Sequence, residues 1–132
     1  MDKPFEISAA LIEKNGRYLI ARRPAGSHQA ETWEFPGGKR EADESLEECV
    51  RREVREEIGV EIEVGPLRAV IHHAYPGRTV LLHFFDCRIV SGEPRAAAGS
   101  EIRYATAEEM ARLPIPEPNR NVLPALTRSI QT

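Results

Sequence analysis

Residues 38–60 read GKREADESLEECVRREVREEIGV. Ser45 and Glu48 stand at the S-x-x-E spacing of a capping box and Gly59 supplies a C-terminal stop, so the spacing predicts a helix from Ser45 to Ile58. On a wheel of about 100° per residue with Leu46 at zero, Cys49, Val50 and Val54 fall within about 80° of it and form an inward face. Glu47, Glu48, Arg51 and Arg55 cover the opposite side, as a solvated face should. Glu53 and Glu57 do not join them: they land within about 20° of Leu46, and Glu56 lies near Cys49. Three carboxylates therefore occupy the stripe where a plain amphipathic helix keeps Leu or Val.

The cost of that arrangement suggests its purpose. Two like charges about 6 Å apart cost about 3 kcal/mol at an effective dielectric of about 20, against under about 1 kcal/mol when fully hydrated. A partly buried cluster needs protonation or a cation. Hard oxygen donors without Cys or His at ligand spacing favour Mg²⁺ or Mn²⁺ over zinc. A Mg²⁺ site with few protein ligands retains waters and takes substrate phosphates, and the ion lowers the pKa of an attacking water. A carboxylate free of the ion can serve as general base.

Charge is distributed to match. Ten of the 21 acidic residues lie between Glu41 and Glu63 with three arginines, so the rest of the chain is net basic by four although the whole carries −3. Arg22, Arg23, Lys39, Arg52 and Arg78 are the candidates for phosphate contact. A pI near 5.8 argues against a duplex-binding module.

Outward from the helix, the pattern alternates strands and turns. Phe5 to Glu13 and Tyr18 to Arg22 read as strands around an Asn15-Gly16 turn. Residues 24–31 read as loop. Trp33 to Gly38 reads as a short extended stretch ending in Gly-Gly. Ile62 to His73 and Thr79 to Val90 read as strands joined by Pro76-Gly77, and Ile102 to Ala105 as one more. Thr106 with Glu109 caps a short helix, and a final helix is expected near Asn119. This order predicts an α+β fold with a mixed sheet. The 132 residues are expected to form one domain, 1–132, with a core large enough to need no staple. Two cysteines, Cys49 and Cys87, read as small core residues of a reducing, cytoplasmic protein. No apolar run reaches the roughly 18 residues of a membrane span, and the first residues lack a signal segment. His28, His72, His73 and His83 lack metal-ligand spacing and read as structural or surface groups.

Gly38, then Glu44, then Arg52-Glu53-Val54-Arg55-Glu56-Glu57-Ile58-Gly59-Val60 at fixed spacing resembles the full Nudix box, with no departure in its fixed positions. The resemblance implies an α/β/α sandwich around a central mixed sheet. It also implies hydrolysis of a nucleoside diphosphate linked to another moiety with a divalent metal, Mg²⁺ or Mn²⁺. It implies that Glu53, Glu56 and Glu57 bind metal or activate water, with the Gly37 or Gly38 carbonyl as a further ligand. Arg52 and Glu44 would hold the loop and helix, and Glu101 resembles a later loop carboxylate near the metal. Within the family, Arg22-Arg23, Glu34-Phe35-Pro36-Gly37-Gly38-Lys39, Tyr75 with Arg78, and Asn119 in Pro118-Asn119-Arg120 resemble the MutT type. That implies a base pocket of Arg23, Phe35, Tyr75, Arg78 and Asn119, with Lys39 as a further substrate-binding residue, and oxidised purine nucleotides such as 8-oxo-dGTP as substrates.

The expected reaction is release of a nucleoside monophosphate and pyrophosphate by a monomer or homodimer without nucleic-acid or membrane partners. A CTP or general nucleoside triphosphate pyrophosphatase is the alternative within the class. A catalytically silent nucleotide-sensing module is the alternative outside it, opposed by the retention of all three glutamates. Trimming of RNA 5′ ends lacks a basic groove.

Overall fold

The computed structural model describes residues 4–24, 26, 31–97 and 100–130, with side chains up to residue 126. Most of the loop expected over 24–31, including His28, lies outside the described residues.

β1 (Phe5–Lys14) occupies the middle of the sheet because its centre is apolar on both faces: Ala9, Ala10, Leu11 and Ile12 are all buried. β6 (Arg78–Ser91) runs parallel to it, from Phe5 opposite Val80 to Ile12 opposite Cys87. β5 (Glu61–Tyr75) pairs antiparallel with β6 and forms the outer edge. On β1's other edge sit β4 (Gly37–Lys39) and the start of β2 (Arg17–Arg22), and β2 also carries β3 (Trp33–Glu34) and β7 (Glu101–Ala105). Parallel and antiparallel pairs thus share one sheet, as expected. The extended stretch from Trp33 is broken in two at Phe35-Pro36: Pro36 has no N–H to give, and its carbonyl accepts from Ala10 N–H at 2.8 Å.

Each face of the sheet is covered by helix. Ala10, Ile12, Leu19 and Phe85 pack against Val50, Val54 and Ile58 of α1 (Leu46–Ile58). Burying each of those helix side chains is worth about 2 kcal/mol. The helix starts at the predicted capping box and ends at Gly59, whose φ of 74° is the left-handed conformation of a C-cap. The opposite face buries Ala9, Leu11, Leu82 and Phe84 against Met110 of α2 (Ala107–Met110) and Leu126 of α4 (Leu123–Ile130). The result is the α/β/α sandwich with a central mixed sheet.

The C-terminal region differs from expectation. Instead of one helix from Asn119 there are two, with the one-turn α3 (Glu117–Arg120) preceding α4. Asn119 does not begin the final helix: it sits inside α3 and is buried. His83 is buried with Nδ1 3.2 Å from the Ile7 carbonyl, a structural role. Cys49 is fully buried, and burial, then the neighbouring Glu44 carboxylate, pushes its thiol up to about 12. No helix among the described residues is long and apolar enough to cross a membrane.

Candidate active site

Arg52, on α1, is the hub of the glutamate-rich end of the site. Its guanidinium grips Glu44 in a two-pronged pair, Nε to Oε2 at 3.0 Å and Nη2 to Oε1 at 2.7 Å. Nη1 donates to Glu53 at 3.0 Å and to Glu56 at 3.3 Å, and Nη2 also donates to the Lys39 carbonyl at 3.2 Å. A planar fork can serve this many acceptors at once; an ammonium cannot. The pairing, with a second bond from the Glu41 N–H, holds the Glu44 carboxyl down to about 2 and raises Arg52. These bonds tie the loop that carries Glu44 to the helix that carries Arg52.

Glu53 and Glu57 lie close together at the edge of β4. Burial pushes the Glu57 carboxyl up, to about 9, helped by a hydrogen bond with Glu53 and by that group's charge; a hydrogen bond with the Gly37 backbone pulls the other way, and Glu34 adds negative charge. Without a cation, burial beside a second carboxylate therefore favours the protonated form of Glu57. Glu56 departs from the expected stripe: its side chain is 59% exposed. Val50, Val54 and Ile58 centre the buried face, and Glu56 lies about 160° from Val54 around the helix. The half-buried carboxylates are two, Glu53 and Glu57, with the third at the rim. Among the described residues no group of three or more His, Cys, Asp or Glu side chains is drawn together as a finished metal cage. Two acidic groups with backbone oxygen nearby suit an ion that keeps its own waters.

The two glycines of β4 shape this edge. A Cβ on Gly38 would collide with the Glu53 carboxyl group, so the missing side chain is the space that carboxyl fills. Bonded pairs alternate along the β1–β4 ladder, with Ala10 bonded to Pro36 and Arg40 to Glu6, which makes Ser8–Gly38 a bonded pair. The Gly38 carbonyl also accepts from the Cys49 thiol at 3.4 Å. Gly37 falls at a non-bonded pair, so its N–H and carbonyl face away from β1, on the side of Glu57.

A cleft of about 340 Å³ opens beside these groups, on the face covered by α2 and α4. Ile7, Ala9 and Leu82 floor it, Gly37, Gly38 and Glu57 close one side, and Arg23, Glu34, Phe35 and Asn119 line the other. Arg23 Nη1 donates to Glu34 Oε2 at 2.9 Å. Phe35 is buried and stands edge-on to Phe84, centroids 5.8 Å apart. Asn119 Oδ1 accepts from the Phe35 N–H at 3.2 Å, which leaves the amide NH₂ to donate. Of the expected pocket residues, Arg23, Phe35 and Asn119 meet here.

Tyr75, Arg78 and Lys39 do not line the cleft. They rise from the same sheet face one row further along, where Lys39 Nζ and the Arg78 guanidinium sit 3.6 and 3.7 Å from the centre of the Phe5 ring. Tyr75 is 41% exposed and stands edge-on to His73. The sequence shows the right residue types, but the parallel register of β1 and β6 sets which row each occupies. Glu101 is likewise at the periphery, exposed and paired with Arg22 at 3.0 Å. Two residues of the cleft wall were given no pocket role by the sequence reading. Glu34 could have been found as the polar neighbour of Phe35 in the stretch before Gly37, whereas Ser100, whose Oγ donates to the Arg22 carbonyl at 2.5 Å, carries no local signal.

Comparison with known proteins agrees with this geometry. The NUDIX domain pattern matches residues 8–125. A CTP pyrophosphohydrolase of Escherichia coli (strain K12) is 39% identical over 113 residues, 86% of this chain and 84% of that protein. An 8-oxo-dGTP diphosphatase of the same strain is 31% identical over 127 residues, 96% of this chain and 98% of that protein. The crystal structure of a MutT protein from Methanosarcina mazei Go1 superposes with a TM-score of 0.85 at 28% identity, covering 100% of this chain and 99% of that one. A half-buried carboxylate pair against two glycines, a cleft of about 340 Å³ beside it and a family pattern over nearly the whole chain converge: this chain belongs to the Nudix family, as a MutT-type hydrolase acting on phosphoric anhydride bonds.

Proposed function

We propose that the protein is a Mg²⁺-dependent nucleoside triphosphate pyrophosphohydrolase, with Mn²⁺ able to substitute, whose preferred substrates are oxidised purine nucleotides such as 8-oxo-dGTP. The observation that carries it is Glu57: a carboxyl group buried beside Glu53 at the end of a nucleotide-sized cleft. Nudix hydrolases generally use a divalent metal, and the donors here are all oxygen. Glu53, Glu57 and the outward Gly37 carbonyl are assigned to hold it, with Glu56 and Glu101 at the rim. When bound, the ion neutralises phosphate charge and acidifies a water. Arg52 fixes the Glu53 carboxyl, and a glutamate of the cluster that is not a ligand takes the proton of the attacking water. Water adds to phosphorus, one P–O–P bond breaks, and nucleoside monophosphate and pyrophosphate leave.

Base choice is assigned to the other end of the cleft. With its oxygen committed to Phe35, Asn119 offers hydrogens and favours a base presenting carbonyl oxygen, disfavouring the adenine amino group. Guanine-type bases meet that demand, Phe35 gives an aromatic wall, and about 340 Å³ admits a purine. Cytosine also presents acceptors, and the relative at 39% identity is named for CTP, which supports CTP as the second reading. Free Cys49 and Cys87 fit a reducing cytoplasm. The test is kcat/KM with 8-oxo-dGTP, dGTP, CTP and a nucleotide sugar. The expected order puts 8-oxo-dGTP first, whereas a ratio favouring CTP replaces the first reading with the second. Undiminished turnover in both Glu53→Gln and Glu57→Gln would defeat the assignment of the glutamates.

A further inference from the structure

Residues 40–45, between β4 and α1, include no helix or strand, yet they carry Glu44, the partner that orients Arg52. One side chain fills the inside of this loop. Arg40 Nη1 donates to the Glu44 carbonyl at 2.9 Å and to the Glu41 carbonyl at 3.3 Å, while its Nε donates to Glu6 Oε1 at 2.9 Å. Its backbone N–H donates to the Glu6 carbonyl at 2.9 Å, so the residue is pinned to β1 twice. Arg40 thus ties the loop to the central strand from below, while Arg52 ties it to the helix from above and reaches back to the Lys39 carbonyl. The two arginines close a ring around the loop, and its far member, Arg52, holds Glu53 at 3.0 Å. Arg40 occupies a variable position of the Nudix spacing, so the family pattern does not ask for it.

We propose that the Arg40–Glu6 pair is a second latch on this loop, setting, through Glu44 and Arg52, the position of the Glu53 carboxyl that receives the divalent cation. Arg40 is a positioning residue: it touches neither the cleft nor the buried carboxylates. The inference rests on the reading of Glu53 and Glu57 as cation ligands. An arginine suits the task because one prong pairs with a carboxylate while another serves two carbonyls, which a lysine ammonium matches poorly.

The test is calorimetric titration of the nucleotide-free protein with Mn²⁺, in wild type, Arg40→Ala, Glu6→Gln, the double variant and Glu57→Gln. Outer-shell residues that orient metal ligands typically set affinity by about 10- to 100-fold. Three steps removed, Arg40→Ala is expected to weaken Mn²⁺ binding about tenfold, Glu6→Gln about threefold, and the double variant no more than Arg40→Ala alone, since both break one latch. Hydrogen exchange at the Glu44 and Ser45 amides is expected to quicken in both single variants. Wild-type Mn²⁺ binding in Arg40→Ala, or multiplicative losses in the double variant, overturns the latch. If Arg40→Ala does not fold, Glu6→Gln carries the test on the same two readouts. Wild-type binding in Glu57→Gln overturns instead the underlying reading of the carboxylates.

Discussion

Gly37 and Gly38 are adjacent, but a methyl group at each meets a different obstacle. At Gly37 it would strike the Ser8 carbonyl oxygen and the Ala9 Cα, backbone of the central strand that cannot step aside. At Gly38 it meets the end of the Glu53 side chain, which can. Gly37→Ala is therefore expected to lower stability by about 2 kcal/mol or more, read as a drop in melting temperature with or without metal. Gly38→Ala is expected to keep most of its stability and lose about 100-fold in kcat, because the displaced group is the proposed ligand. Equal effects of the two variants on stability would count against this division. Glu57 gives a second residue-level expectation. Its carboxyl is raised by burial and by Glu53, so the protonated form stabilises the metal-free fold fully below the ordinary carboxylate value, and that contribution is lost as pH rises toward about 9. The metal-free wild type should lose more melting temperature between pH 6 and 9 than Glu57→Gln does, and saturating Mg²⁺ should shrink the difference. Parallel melting curves for the two proteins would show that Glu57 is not protonated in the metal-free fold.

At the scale of elements, α1 was the most legible part of the chain, because its signals are local. The Ser45–Glu48 box, the Gly59 stop and the inward Cys49, Val50 and Val54 are all where the spacing puts them. Glu56 was misplaced for an equally local reason: a wheel zeroed on Leu46, which is half-buried, misses the true centre of the buried face near Val50 and Val54. Arg40 and Glu6 could not have been paired from sequence, because 34 residues separate them and the β1–β4 register brings them together. The row beyond the cleft was illegible in the same way. Lys39, Arg78 and Phe5 come from three strands, and which of them share a row depends on a parallel pairing that no turn encodes. The loop-to-helix tie yields its own prediction. Arg52→Lys keeps the charge but loses the fork that serves Glu44 and Glu53 together, and kcat is expected to fall at least about 100-fold. Glu44 is held low by Arg52, so its share of stability is present above the ordinary carboxylate range and fades as pH falls toward 2. In Arg52→Lys, where Glu44 is held less far down, that share should be smaller and its loss complete at a higher pH, measurable by acid titration of the circular dichroism signal.

Across the whole molecule, the sandwich sets Glu57 and Asn119 on opposite sides of one cleft, and Asn119 shows how far apart in the chain the two walls originate. It comes from α3, 84 residues beyond Phe35 in the chain, and its buried Oδ1 satisfies the N–H at the turn between β3 and β4. The same amide thus closes the C-terminal helices onto the sheet and presents its NH₂ to the proposed base. Asn119→Ala should act on both tasks. The Phe35 N–H loses its partner in a buried setting, which costs about 1–3 kcal/mol and lowers the melting temperature. The cleft loses its donor, so kcat/KM for 8-oxo-dGTP should fall about 100-fold or more, while dATP, which gains nothing from that donor, should change far less. Both are triphosphates acting at one carboxylate cluster, so the ratio between them reports base recognition free of any general loosening of the metal end. A uniform fall for both nucleotides would instead make Asn119 a strut between α3 and the sheet, and base selection would have to be sought at Arg23 and Glu34.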